Sequence, residues 1–164
     1  MKKIVLLLVF LLSILQASAQ ARVLKSVNVA GDLVTFELDC TEEFQTLAKG
    51  LRYNIYRHEF KGQEMKNSYR LLFVMDGFYS KTLNREMTFS AVLSNGTIIK
   101  DKEIIEDDGF FDGACTLKIK QPKALLEVNI DKIIIHADND VIYTLTKENK
   151  AIFNKNLNAI LTAK

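Results

Sequence analysis

The two histidines and the two cysteines are the residues of this chain best suited to chemistry. His58 and His136 form no H-E-x-x-H motif, so their spacing does not indicate a zinc enzyme. Cys40 and Cys115 form no C-x-x-C motif of the redox or zinc-binding kind. In an oxidising compartment an even pair of cysteines predicts one disulfide between them. A cysteine nucleophile assisted by a histidine is the less favoured alternative.

Carboxylates near the histidines are the remaining catalytic candidates. Glu59 adjoins His58, and Asp138 follows His136 closely, so either pair could supply acid and base to a small hydrolase. A glycosidase needs two facing carboxylates, but the sequence does not distinguish a pair such as Glu42-Glu43 from solvated acids in a turn. The motifs G-x-S-x-G and G-x-G-x-x-G and the glycine-lysine phosphate loop are absent. We therefore predict no catalytic residue, no cofactor and no metal, and keep a small hydrolase as the alternative.

The acidic loop over residues 106–113, EDDGFFDG, is the predicted contact site for a ligand or partner. Loops positioned by a rigid sheet commonly carry binding function, and adjacent aromatic rings on extended backbone point to opposite sides. One exposed ring inside an acidic rim would form a small binding patch. Alternatively, turns at Gly109 and Gly113 fold both rings inward as a plug. The predicted site residues are Asp107, Asp108, Phe110, Phe111 and Asp112.

A weak calcium site is a further interpretation of the acidic turns. Carboxylate oxygens at residues 107–112 or 138–140 could serve as ligands for this cation. Neither stretch has the D-x-[DN]-x-[DN]-G pattern, and Asp and Asn are common in tight turns for backbone reasons. The turn interpretation is therefore favoured.

Residues 1–19 have the pattern of a secretory signal peptide. Lys2 and Lys3 precede an apolar run over 4–12, and the small residues of 17–19 form the exit. The run is too short to span a bilayer as a helix. Gln20, and not cysteine, follows the exit, so no lipid anchor is predicted. The exit resembles those of exported Gram-negative proteins, which implies a periplasmic or extracellular location.

Residues 20–164 have a length that suits one β-rich domain. Lys2 and Lys3 account for the whole formal charge of +2, so this domain carries no net charge. A general electrostatic attraction to nucleic acid or to an anionic membrane surface is therefore not expected. We predict no nucleic-acid partner and no stable membrane insertion after cleavage.

Short alternating runs separated by turn residues predict eight to ten strands in an antiparallel sandwich or barrel. Asn95-Gly96 marks the clearest hairpin. A short helix is predicted over 41–49, and a strand over 124–130 beyond Pro122. Period-3.6 spacing predicts an amphipathic C-terminal helix over 148–162. Its apolar stripe consists of Phe153, Leu157, Ile160 and Leu161.

The order of strands with a terminal helix resembles, in outline, the calycin barrels, the lipocalin group among them. That resemblance implies a closed barrel around a ligand. The Gly-x-Trp motif near the first strand is missing, because the chain contains no Trp. We therefore do not assign the chain to this group.

These patterns together favour a non-enzymatic binding or interaction module of the bacterial cell envelope. The partner would be a protein or a small-molecule ligand held by loops or in a cavity. The alternatives are the small hydrolase described above and a structural envelope component. A large apolar cavity favours ligand binding, whereas a cleft with convergent carboxylates favours an enzyme.

Overall fold

The computed structural model describes residues 22–40, 45–62, 67–76, 88–101, 113–136 and 139–164. These residues form ten strands and two helices, all strand pairs being antiparallel. The strands are β1 Val23–Val27, β2 Leu33–Leu38, β3 Gln45–Ala48, β4 Leu51–Phe60, β5 Ser68–Met75, β6 Thr88–Leu93, β7 Ile98–Asp101, β8 Ala114–Ile119, β9 Ile130–His136 and β10 Val141–Thr144; the helices are α1 Pro122–Glu127 and α2 Lys147–Thr162.

The strands belong to two open sheets that share one hydrophobic core. The larger sheet has the order β1-β2-β4-β5-β8, with β3 also paired to β4, and the smaller has the order β10-β9-β6-β7. The described strands therefore form a sandwich-like pair of sheets, and the closed-barrel alternative is wrong for this part of the chain. Within it, no helix has the length and apolar composition needed to cross a bilayer.

The hairpin turns confirm the local sequence signals. At the β1–β2 turn, the Asn28 side-chain oxygen accepts hydrogen bonds from the backbone of Asp32 at 3.1 Å and Leu33 at 3.0 Å. At the β6–β7 turn, Asn95 accepts from the Thr97 backbone at 3.0 Å. Gly96 beside it has a φ of 82°, a conformation that glycine adopts without steric strain.

The C-terminal helix α2 confirms the predicted amphipathic pattern. Thr146 begins the helix, because its side chain accepts a hydrogen bond from the Asn149 backbone at 3.1 Å. Phe153, Leu157 and Ile160 are almost completely buried. The helix packs on β2, β3 and β4 of the larger sheet. Its apolar stripe therefore belongs to the core of this protein.

Arg57 on β4 fixes the C-terminal end of α2. Its guanidinium donates hydrogen bonds to the carbonyls of Ile160 at 2.7 Å, Leu161 at 2.8 Å and Ala163 at 2.6 Å. The guanidinium also lies 4.0 Å from the ring centroid of Phe36. A cation placed here satisfies the last helix carbonyls and interacts favourably with the helix dipole. Arg57 is therefore a buried charge with a defined structural partner.

Two element predictions are wrong. The strand predicted over 124–130 is helix α1 for most of its length, because Pro122 occupies the first helical turn, where its missing N–H is not required. The helix predicted over 41–49 is strand β3 where the structure describes it, from Gln45 to Ala48. Pairing with β4 stabilises the extended form there, since a helix this short gains little from its own hydrogen bonds.

Candidate functional site

A cavity of about 290 Å³ lies where the two sheets meet beneath α1. Its apolar lining comes from both sheets and from the helix. These residues are Ala91, Leu93, Ile99, Ile119, Leu125 and Ile130, and all except the half-buried Ile99 are buried. The volume is close to the lower end of the range for small-molecule sites, which are mostly apolar in the same way.

Strand periodicity explains why these side chains converge. Ala91 and Leu93 are two positions apart on β6 and therefore point to the same side of the sheet. Ala91 pairs with Ile133 on one neighbouring strand and with Ile99 on the other. A methyl side chain between two isoleucines leaves room that a larger residue would fill. The identity of residue 91 thus contributes directly to the cavity.

Basic residues surround the mouth of the cavity. Lys100, Lys118 and Lys120 contribute to the lining and are largely exposed to solvent. The uncharged polar residues Thr97 and Gln121 complete this rim. Among the described lining residues there is no carboxylate. The arrangement combines an apolar interior with positive charge at its entrance.

His136 forms a hydrogen-bonded series on the smaller sheet. Its Nε2 lies 2.8 Å from the Ser90 hydroxyl, and its Nδ1 lies 3.0 Å from the Asp140 carboxylate. Ser90 is 2% exposed, whereas His136 and Asp140 reach solvent. The described carboxylate beside His136 is therefore Asp140, while the predicted partner Asp138 lies outside the described residues.

His58, on the larger sheet, makes different side-chain contacts from those of His136. Its Nδ1 lies 3.0 Å from the Thr35 hydroxyl, and its ring stacks on Tyr56 with the centroids 6.1 Å apart. Partial burial, followed by the nearby Arg70 cation, lowers the pKa of His58. Glu59 does not complete the predicted pair with His58. Consecutive strand residues point to opposite faces, and the Glu59 carboxylate instead lies 3.2 Å from Arg57 Nε.

The predicted disulfide between Cys40 and Cys115 is not formed, since Cys40 is a free thiol. Cys40 is the second residue after β2, and Cys115 lies in β8, so β4 and β5 separate the two strands in the sheet. Three strand spacings correspond to about 14 Å, whereas disulfides join Cα atoms less than about 7 Å apart. Burial, and then the carboxylates of Asp39 and Glu37, raise the pKa of the Cys40 thiol. Its reactive thiolate form is correspondingly suppressed.

The predicted contact residues Asp107, Asp108, Phe110, Phe111 and Asp112 lie outside the described residues, as do residues 1–21. The contact site at these residues therefore stays a prediction. Within the described ranges, no three His, Cys, Asp or Glu side chains are grouped as metal ligands.

Sequence reasoning did not identify either the cavity or the Ser90–His136–Asp140 series. Alternation puts Ala91 and Ser90 on opposite faces of β6, but it does not show which strands lie beside them. The available signal was weak: a small residue in an apolar strand, and a serine preceding it. Comparison of the chain with protein-family models, curated proteins and solved structures gave no match.

Proposed function

We propose that this protein is an exported binding protein of the cell envelope that holds a small amphipathic anion. The observation that supports binding is the apolar cavity between the sheets, with three lysines among its lining residues. The apolar part of the ligand occupies the interior, beside Ala91, Ile119 and Leu125. The export component of the proposal rests on the signal-peptide pattern of residues 1–19.

The cavity volume limits the size of the ligand. About 290 Å³ accommodates roughly ten water-sized groups at about 30 Å³ each. A chain of about eight methylene groups would gain roughly 6 kcal/mol on leaving water, at about 0.8 kcal/mol for each group. That free energy corresponds to a dissociation constant of some tens of micromolar before electrostatic contributions. A medium-chain carboxylate or an anion of similar shape meets these requirements.

The three lysines at the cavity entrance favour a negatively charged ligand. Lys100, Lys118 and Lys120 place ammonium groups close to the entrance, and their aliphatic stems extend the apolar surface. An anionic head group would remain partly in water there while the tail is buried. A cationic amphiphile of equal length would meet repulsion at the same position. The proposal therefore predicts selectivity for charge as well as for length.

Isothermal titration with decanoate, decanol and decyltrimethylammonium tests this proposal. Decanoate should bind most tightly, decanol more weakly and the cationic amphiphile least. Ala124→Leu, a substitution in the cavity wall, should weaken decanoate and decanol binding at least tenfold by occupying the interior. A melting curve for this variant checks that it is folded. Equal affinity of wild type and Ala124→Leu for decanoate would show that the cavity is not the site.

A matched pair of charge variants tests the role of the rim. Glutamine at Lys100, Lys118 and Lys120 should weaken decanoate binding several-fold and leave decanol binding unchanged. The control replaces Lys132, Lys147 and Lys164, which are exposed and do not line the cavity, and should bind decanoate like wild type. Equal losses in both triple variants would indicate a general charge effect and would contradict the proposed head-group site.

A further inference from the structure

We infer that Ser90, His136 and Asp140 form a nucleophilic site that hydrolyses short-chain acyl esters. Ser90 supplies the nucleophile, His136 the general base, and Asp140 positions His136. The site is on the opposite side of β6 from Ala91, because consecutive strand residues alternate. It therefore stands independently of the proposed cavity ligand.

The main support is the hydrogen-bonded arrangement of hydroxyl, imidazole and carboxylate. Ser90 Oγ lies 2.8 Å from His136 Nε2, and His136 Nδ1 lies 3.0 Å from Asp140 Oδ1. Both distances are within the range for proton transfer between a nucleophile, a base and the group that orients the base. A proton on Nδ1 satisfies the carboxylate and leaves Nε2 free to accept from the serine. That is the tautomer required for general-base catalysis.

The backbone ladders hold these groups in place. Ser90 pairs with Ile134 on β9, so His136, two residues further along β9, is its diagonal neighbour on the same face. Asp140 directly precedes β10, whose first residue Val141 pairs with Ile135. The paired strands β6 and β9, and the start of β10 next to Asp140, therefore set the separation of the three side chains. Strand register thus fixes Ser90 relative to His136, and Asp140 contacts His136 from the residue before β10.

The surroundings of Ser90 indicate the substrate class. Ile134 is the cross-strand neighbour of Ser90, and Ile142 on β10 pairs with Ile134 on the same face. Ile142 is 58% exposed, so it offers apolar surface to a ligand. The serine itself is 2% exposed, which restricts the reacting carbonyl to a small acyl group. A short-chain ester such as an acetate ester fits this combination.

The proposed reaction proceeds in two balanced steps. Ser90 Oγ attacks the ester carbonyl carbon as its proton passes to His136 Nε2. The tetrahedral intermediate then expels the alcohol, which takes that proton and leaves an acyl group on Ser90. Water attacks the acyl carbonyl while Nε2 accepts its proton. The acyl bond to Oγ breaks, Oγ regains a proton, and the carboxylic acid is released.

Covalent labelling and hydrolysis test this site in the full exported domain. A fluorophosphonate probe followed by peptide mass spectrometry should place the adduct on Ser90. The protein should also hydrolyse p-nitrophenyl acetate faster than buffer, with the acceleration of about 10²–10⁴ that general-base assistance typically gives. Ser90→Ala and His136→Gln should each lower the protein-dependent rate at least tenfold. Failure of either effect in a folded variant would overturn the assignment.

A matched substitution in the other hydroxyl–histidine pair provides the control. Thr35→Val with His58→Gln removes the pair on the larger sheet and should leave labelling and hydrolysis unchanged. Asp140→Asn should lower kcat with little change in KM, and Asp140→Glu should restore part of it, because its role is positioning. If a variant fails to fold, the mapped adduct on the wild-type chain still decides the matter. An adduct elsewhere, or no adduct, would refute the inference.

Discussion

The two helices cover the core to different extents. α2 has 16 residues and a length of about 24 Å, whereas α1 has 6 residues and a length of about 9 Å. Beneath α2, the Tyr53 hydroxyl accepts a hydrogen bond from Asn156 at 2.9 Å, and the Tyr53 ring packs against Phe153 at a centroid distance of 5.3 Å. Beneath α1, the described structure contains the cavity.

Under the proposed function, one hydrophobic core serves two purposes. The α2 side is closed by side chains that combine apolar packing with specific hydrogen bonds. The α1 side has apolar side chains of the same kinds, but a cavity of about 290 Å³ remains among them. Substitutions on the α2 side should therefore affect mainly stability. Substitutions around the cavity should affect mainly ligand binding.

The largest expected effect is that of Arg57→Met. Losing three hydrogen bonds from a charged donor should lower the free energy of unfolding by about 3–5 kcal/mol. Urea denaturation measures this change. Arg52→Met is the control, because Arg52 makes a solvent-exposed ion pair with Asp76 at 2.8 Å and should lose less than about 1 kcal/mol. Similar losses in the two variants would show that burial of Arg57 has little energetic significance.

Tyr53→Phe should have an intermediate effect on the α2 side. It preserves the ring that contacts Phe153 and removes only the hydroxyl that accepts from Asn156. Leaving the buried Asn156 amide without this acceptor should lower stability by about 1–3 kcal/mol. The measurement is again the midpoint of urea denaturation, with the slope of unfolding free energy against urea concentration unchanged. A stability equal to wild type would mean that this hydrogen bond does not distinguish the two sides of the core.

Ile119→Val should have a smaller effect on the cavity side. Removing one methylene group from a buried position lowers stability by about 0.5–1.5 kcal/mol. The same substitution enlarges the cavity and should shift binding toward carboxylates with a longer chain. Titration with a series of fatty acids measures this shift. The division into a packed α2 side and a ligand-binding α1 side is wrong if two results are found together. These are a loss of stability larger than that of Tyr53→Phe and an unchanged preference for carboxylate chain length.

The smallest effect should be the pH dependence contributed by His58 on the larger sheet. Burial, then Arg70, holds its folded-state pKa below the ordinary value of 6.5. Below pH 6.5 the unfolded chain therefore binds the proton first, and stability falls as the pH decreases toward the folded-state pKa. His58→Gln should reduce the loss of stability between pH 7.5 and pH 5.5, as measured by denaturant midpoints. An unchanged difference between the two pH values would contradict this assignment.

Local signals in the sequence were sufficient for the hairpins and for α2. Asn95-Gly96 favours a tight turn because its residues readily adopt the backbone angles that the turn requires. The buried stripe of Phe153, Leu157 and Ile160 follows from helical spacing. The α1 helix was missed because a proline can end a strand or begin a helix, and only the surrounding core decides between them.

The candidate sites depend on strand order, which alternation does not reveal. Ser90 and His136 are 46 positions apart and meet only because β6 pairs with β9 in one register. A shift of one residue would turn Ser90 to the opposite face. The disulfide prediction was wrong for a related reason. The sequence does not show that, in the sheet, two strands lie between the strand before Cys40 and the strand that contains Cys115.

The contact between Arg57 and the end of α2 has a consequence for the order of events during protein synthesis. The carbonyls that satisfy this guanidinium belong to residues 103 to 106 positions further along the chain. While a ribosome is still adding those residues, the Arg57 guanidinium can pair with Glu59 on its own strand but lacks its three carbonyl acceptors. Completion of the core therefore has to wait for Ala163, and chains whose translation stops earlier would expose their apolar strands and become substrates for proteases.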